Sequence, residues 1–102
     1  MMRYYTQLVF VRPGKEEAFH EFEDHVLPLL AMYGGQLLLR WRYTPGVVID
    51  TTVGDPYEVH LVAFPTADDF RRYASDNTRT TYLHLKDSAV ERVMLIEGVL
   101  LS

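Results

Sequence analysis

YEVHLVAFPTADDFRRYA, residues 57–74, contains a buried strand, a hard stop and a capped helix in one stretch. Tyr57, Val59, Leu61 and Ala63 alternate with Glu58, His60, Val62 and Phe64, so successive side chains point to opposite faces of a sheet. Pro65 stops the strand because it has no N–H for the ladder and disfavours a helical residue before it. Thr66 has the chemistry of an N-cap. Asp69, three residues on, completes a Thr-x-x-Asp variant of the capping box and sets negative charge at the positive helix end. Phe70, Tyr73 and Ala74 form the stripe that folds back on the sheet.

Working outward, the same grammar repeats. Tyr4–Val11 reads as a first strand, apolar on both faces: Tyr4, Leu8 and Phe10 on one, Tyr5, Val9 and Val11 on the other. Pro13-Gly14 breaks it. Lys15 to about Tyr33 follows as an amphipathic helix with Phe19, Phe22, Val26, Leu29, Leu30 and Tyr33 on its core stripe. Glu16, Glu17, Glu21, Glu23 and Asp24 are expected to lie largely away from that stripe. Pro28 should kink or split the helix near Asp24–His25. Gly34-Gly35 supplies a left-handed stop.

Gln36–Tyr43 reads as a second strand, with Leu37, Leu39, Trp41 and Tyr43 on one face and Gln36, Leu38, Arg40 and Arg42 on the other. Thr44–Pro56 is long for a hairpin connection and carries an apolar run, Val47-Val48-Ile49, expected to pack on another subunit or at a pocket mouth. After a break at Ser75-Asp76-Asn77, Thr78 to about Glu91 reads as a helix with Tyr82, Leu85 and Ala89 inward. Val93–Leu101 is the last strand, again apolar on both faces.

The order β-α-β-β-α-β packs most simply as an α+β, ferredoxin-like antiparallel sheet with spatial order 4-1-3-2 and both helices on one face. Residues 1–102 make one domain of this kind. The face without helices is expected to carry Val9, Val11, Leu38, Val62, Phe64, Met94, Ile96 and Leu100. Burying each such side chain is worth about 2 kcal/mol, which predicts a two-fold symmetric homodimer through the open face.

Composition narrows the partners. A formal charge of −4 argues against a nucleic-acid surface. No apolar run approaches the roughly 20 residues that span a bilayer. The absence of cysteine removes disulfides and thiolate catalysis and fits a cytoplasmic protein.

With those segments in place, the chain resembles a known group. YGGQLLLR (33–40), VAFPT (62–66), the Tyr82 region and LIEGVLL (95–101) are similar to DUF1330-type members of the dimeric α+β barrel superfamily. PGKEEAFHEF followed by LPLLAMYGG resembles NIPSNAP-like members of that superfamily. The resemblance implies a dimeric barrel, and it matches Arg40 to the arginine that ends the family's second strand. Superfamily relatives include cofactor-independent monooxygenases, small isomerases, decyclases and haem-degrading enzymes. DUF1330-type chains carry an acidic residue before Phe-Pro where this chain has Ala63.

The candidate chemistry lies on the hairpin. Arg40, Arg42, Glu58 and His60 share parity. Facing Tyr43 with Tyr57 would set Arg42 against Glu58 and Arg40 against His60, with Gln7 or Tyr5 alongside. An imidazole titrates near working pH and suits a general acid or base. Arg40 would orient a carboxylate or stabilise an enolate oxygen. His60 and Arg40 are thus the candidate catalytic residues, and Arg42, Glu58, Trp41, Tyr5 and Gln7 candidate substrate contacts. This site would lie between sheet and helices or at the barrel mouth. The expected activity is cofactor-independent oxygenase or isomerase chemistry on a polar organic acid or polyketide-like molecule. The alternative is a structural or binding homodimer, with Arg42–Glu58 a cross-strand ion pair and His60 an interface residue. The pairs His20/Asp24 and Glu21/His25 offer only two ligands each, and nothing selects His60 or His84 as a haem ligand, so no metal or cofactor is expected.

Overall fold

The computed structural model describes residues 1–42 and 54–101. Strands β1 (Arg3–Val11), β2 (Gln36–Trp41), β3 (Glu58–Phe64) and β4 (Val90–Gly98) form one antiparallel sheet in the order β2-β3-β1-β4, which is the expected 4-1-3-2. The helices are α1 (Glu16–Val26), α2 (Ala67–Ala74), α3 (Asn77–Thr81) and α4 (Leu83–Ala89). They cover one face, and the short dimension of 17 Å leaves room for two layers only. The Val47-Val48-Ile49 run and Tyr43 lie outside the described residues.

Local rules account for the helix ends. Thr66 Oγ1 accepts the Asp69 backbone N–H at 3.1 Å and starts α2. The Asp76 carboxylate accepts the Arg79 backbone N–H and starts α3. Pro28 splits the long amphipathic segment: α1 ends at Val26 and Leu27–Tyr33 continues as a 3-10 helix. Gly34, at φ 73°, closes that segment in the left-handed conformation. The second helical stretch is broken at Tyr82, and β4 begins at Val90, three residues before the expected Val93.

The assignment of faces differs from expectation. Register places Tyr5, Gln7 and Val9 of β1 beside Val62, His60 and Glu58 of β3, and beside Glu97, Leu95 and Val93 of β4. This row faces the helices. Val9, Val62 and Phe64, assigned above to the open face, are buried under α1, α2 and the 3-10 segment, and Val11 packs beside Val9 and Phe19. Both faces of β1 and β3 are apolar, so alternation alone does not choose between them. The helices cover the face bearing Tyr5 and Phe64, whose rings interlock with Phe70 and Tyr73. Met94 and Ile96 do lie on the open face, opposite Leu8 and Thr6. A bulge at Leu38 then changes the parity of β2. Leu37 pairs with Val62 on the helix side, whereas Leu39 and Trp41 pair with Leu61 and Val59 on the open side.

Candidate functional site

The bulge and the face assignment carry the polar hairpin residues inward. Arg40 pairs with His60 across β2 and β3, as expected, and His60 in turn pairs with Gln7 of β1. Glu58 is fully buried at 0% exposure and His60 nearly so at 2%. Arg40 Nε donates to Glu58 Oε1, and Arg42 Nε donates to Glu58 Oε2 at 3.1 Å. His60 Nε2 donates to Glu58 Oε1 at 2.8 Å, and its Nδ1 lies 3.3 Å from Gln7 Oε1. Burial opposes ionisation of Glu58, but the hydrogen bonds from His60 and Arg40 outweigh it and hold the carboxyl down at about 2. Glu58 is therefore a fixed anion whose lone pairs are already engaged.

Above this group, between sheet and helices, lies a cavity of about 330 Å³, at the small end of the range for ligand sites. His60, Gln7 and Tyr5 line it. Arg40 and Arg42 do not; they reach Glu58 from the sheet edge. Trp41 stands on the open face, 52% exposed, because the Leu38 bulge turns it away from the helices. The Tyr5 hydroxyl donates to Glu97 at 2.8 Å. Burial and that acceptor push the phenol up to about 12.

The helices contribute a wall residue that the strand pattern does not show. Glu23 of α1, expected on the solvent side, is 4% exposed and lines the cavity. Its Oε2 is 3.8 Å from His60 Nε2 and has no hydrogen-bond partner among the described residues. Burial pushes its carboxyl up to about 7; the nearby Glu58 charge adds to this and His60 works against it. Its position was readable: Glu23 follows Phe19 by four residues and precedes Val26 by three and Leu30 by seven, on the same helical stripe. Treating every acidic residue of α1 as solvated hid it.

Arg79 of α3 and Lys86 of α4 complete the polar wall. They share a side with Tyr82 and Ala89 at roughly helical spacing. The Arg79 guanidinium lies over the Tyr73 ring at 5.2 Å and the Phe22 ring at 5.7 Å, and donates to the Ala74 carbonyl at 3.1 Å.

Glu23, Glu58 and His60 offer ligand atoms within 4.8 Å of one another, which resembles a metal-binding set. Glu58, however, already accepts from Arg40, Arg42 and His60, and a divalent cation would sit against two guanidiniums. The donor set suits proton transfer better than metal coordination.

No family model matches the chain, and no curated protein sequence does. Solved structures do. A protein of unknown function from Rhodopseudomonas palustris superposes with TM-score 0.85 at 18% identity, over 99% of this chain and 83% of that one. A dimeric ferredoxin-like protein of unknown function from Jannaschia gives 0.73 at 13% identity, over 98% and 100%. A NIPSNAP family protein from Agrobacterium tumefaciens gives 0.68 at 15% identity, over 97% and 92%. The chain has the ferredoxin-like fold of these proteins. Among the described residues no helix is long and apolar enough to cross a membrane.

Proposed function

We propose that the cavity binds a small enolisable molecule, of the organic-acid or polyketide-like class, and that Glu23 and His60 move its proton. The observation that carries this reading is the buried Glu23 carboxyl on the cavity wall, whose Oε2 lies 3.8 Å from His60 Nε2 and has no hydrogen-bond partner among the described residues. A carboxyl raised to about 7 is present in both protonation states near neutrality, as a reversible acid–base group requires. In the ionised form it takes a proton from carbon adjacent to a carbonyl, leaving an enolate. His60, held through Nε2 by Glu58, is the second polar group at the reacting end. Arg40, assigned above to the substrate, is a positioning residue here: with Arg42 it keeps Glu58 ionised, and Glu58 orients the imidazole. An isomerase and a cofactor-independent oxygenase share this first step. They differ in whether the enolate is reprotonated at another carbon or oxidised by dioxygen.

Deuterium exchange tests the proposal. Keto acids and aryl ketones incubated with the protein in heavy water should exchange their α-protons, followed by proton NMR. Glu23→Gln should slow exchange by about a hundredfold, the usual worth of a general base. Equal exchange by wild type and Glu23→Gln, or none across the panel, rejects catalysis and leaves a binding protein.

The open sheet face supports a second part of the reading, a homodimer. Leu39 stands 57% exposed on it beside Trp41, and Ile96 stands 54% exposed on the opposite edge strand. A second copy placed on this face would bury a patch that a monomer leaves in water. The Jannaschia protein is described as dimeric, and the DUF1330-type resemblance points to the same barrel. A dimer built this way, free of cysteine, fits a cytoplasmic setting.

A further inference from the structure

The cavity carries two cations that the acid–base reading does not use. Arg79 and Lys86 both line it. Neither forms a salt bridge with a described residue; nearby, Asp76 caps α3 and accepts from Tyr33, and Asp69 of α2 accepts from Arg72. The Arg79 Nε is buried and has no acceptor among the described residues. Its Nη1 donates to the Ala74 carbonyl, and the guanidinium also hydrogen-bonds the Tyr73 side chain. Burial lowers the Lys86 ammonium, and the charge of Arg79 lowers it further, so the two cations repel one another across the wall; Asp87 and Glu23 offset this in part. Glu23 is the carboxyl that shares this wall, and one carboxyl does not neutralise two cations; such a pair, held partly out of water, is costly unless a further anion joins it.

The rest of the wall sets what that anion must be attached to. Leu30, Val62, Phe64 and Phe70 line the same space and present only carbon. An inorganic anion would leave this surface empty, and a neutral hydrocarbon would leave the cations unpaired. We infer that Arg79 and Lys86 are the anion subsite of this cavity, and that its substrate is an organic carboxylate whose apolar body packs against the Leu30–Phe64–Phe70 wall. The inference rests on the cavity being a small-molecule site, and it deepens the reading above by naming the anchor. The carboxylate docks on the α3–α4 side, and the reacting carbon then lies toward Glu23 and His60. Arg40, the sequence's candidate for this task, is committed to Glu58 and does not line the cavity.

The test uses phenylbutyrate and its neutral amide, phenylbutyramide, titrated calorimetrically into the wild-type protein, Lys86→Met, Arg79→Gln and Glu23→Gln. The acid should bind the wild type at least about tenfold more tightly than the amide, the size expected for a charge-assisted anchor. Lys86→Met should weaken the acid about tenfold and leave the amide unchanged. Arg79→Gln should do the same. Because Arg79 also stacks on Tyr73 and holds the Ala74 carbonyl, the near-isosteric Lys86→Met is the decisive variant. Glu23→Gln should keep or improve binding of the acid, since it removes a neighbouring negative charge. Equal affinity for acid and amide, an unchanged affinity in Lys86→Met, or no binding of the acid up to about 10 mM overturns the inference. The two readings separate cleanly. Acid binding that depends on Lys86, with exchange indifferent to Glu23→Gln, keeps the anchor and removes the catalysis. Exchange that depends on Glu23, with acid and amide binding alike, does the reverse.

Discussion

Glu23 is the residue on which sequence pattern and folded environment disagree most. In the unfolded chain it is an ordinary carboxyl at 4.5; in the cavity wall burial raises it to about 7. The native state then holds its proton more tightly, so this residue's contribution to stability is fully present below pH 4.5 and is lost as pH rises through 7. Glu58 works in the opposite sense. Its folded value near 2 makes its contribution present above the usual carboxyl range and lost only as pH falls toward 2. Glu23→Gln should therefore remove a decline in stability between pH 4.5 and about 7 and stabilise the protein at pH 8 by on the order of 3 kcal/mol. Denaturant unfolding of wild type and variant at a series of pH values checks this. Parallel curves across that window would mean that Glu23 is not desolvated.

At the scale of elements, the end of the 3-10 segment is where packing is tightest around the site. A Cβ on Gly35 would lie 2.7 Å from Phe64 Cε1 and 3.0 Å from the Leu30 carbonyl oxygen, whose acceptor role closes the turn. Phe64 and Leu30 both line the cavity, so neither can yield without changing its shape. Gly35→Ala should cost about 1–3 kcal/mol, as overpacking does in a filled core. Gly98→Ala, with nothing within 4 Å of the added methyl, serves as the control and should be near neutral. Thermal unfolding of both variants measures the contrast, and equal midpoints would contradict the packing described for Phe64. Such closeness is invisible in the string Tyr-Gly-Gly, which announces a turn but not what stands against it.

For the whole molecule, the proposed homodimer rests on the open face. Trp41 and Leu39 on one edge strand and Ile96 on the other are exposed on a sheet whose other face is covered. Replacing Trp41 with Glu should shift the protein to monomer mass in sedimentation analysis while leaving its far-ultraviolet circular dichroism unchanged. A wild-type monomer, or a Trp41→Glu dimer, would move the interface elsewhere. Strand order, helix caps, the split at Pro28 and the pairing of Arg40 with His60 were all legible in the chain, because they follow from short-range alternation, backbone sterics and turn chemistry. The covered face, the turn of Trp41 away from the helices and the burial of Glu23 were not. With both faces of β1 and β3 apolar, period-two alternation is symmetric, and only the fit of Tyr5 and Phe64 against Phe70 and Tyr73 breaks the tie. The single extra residue at Leu38 then redirects the edge strand. Sequence alone determined the topology and the polar residues available to it. Tertiary packing decided which of them face a cavity, because the cavity exists only between layers whose contacts are distant in the chain.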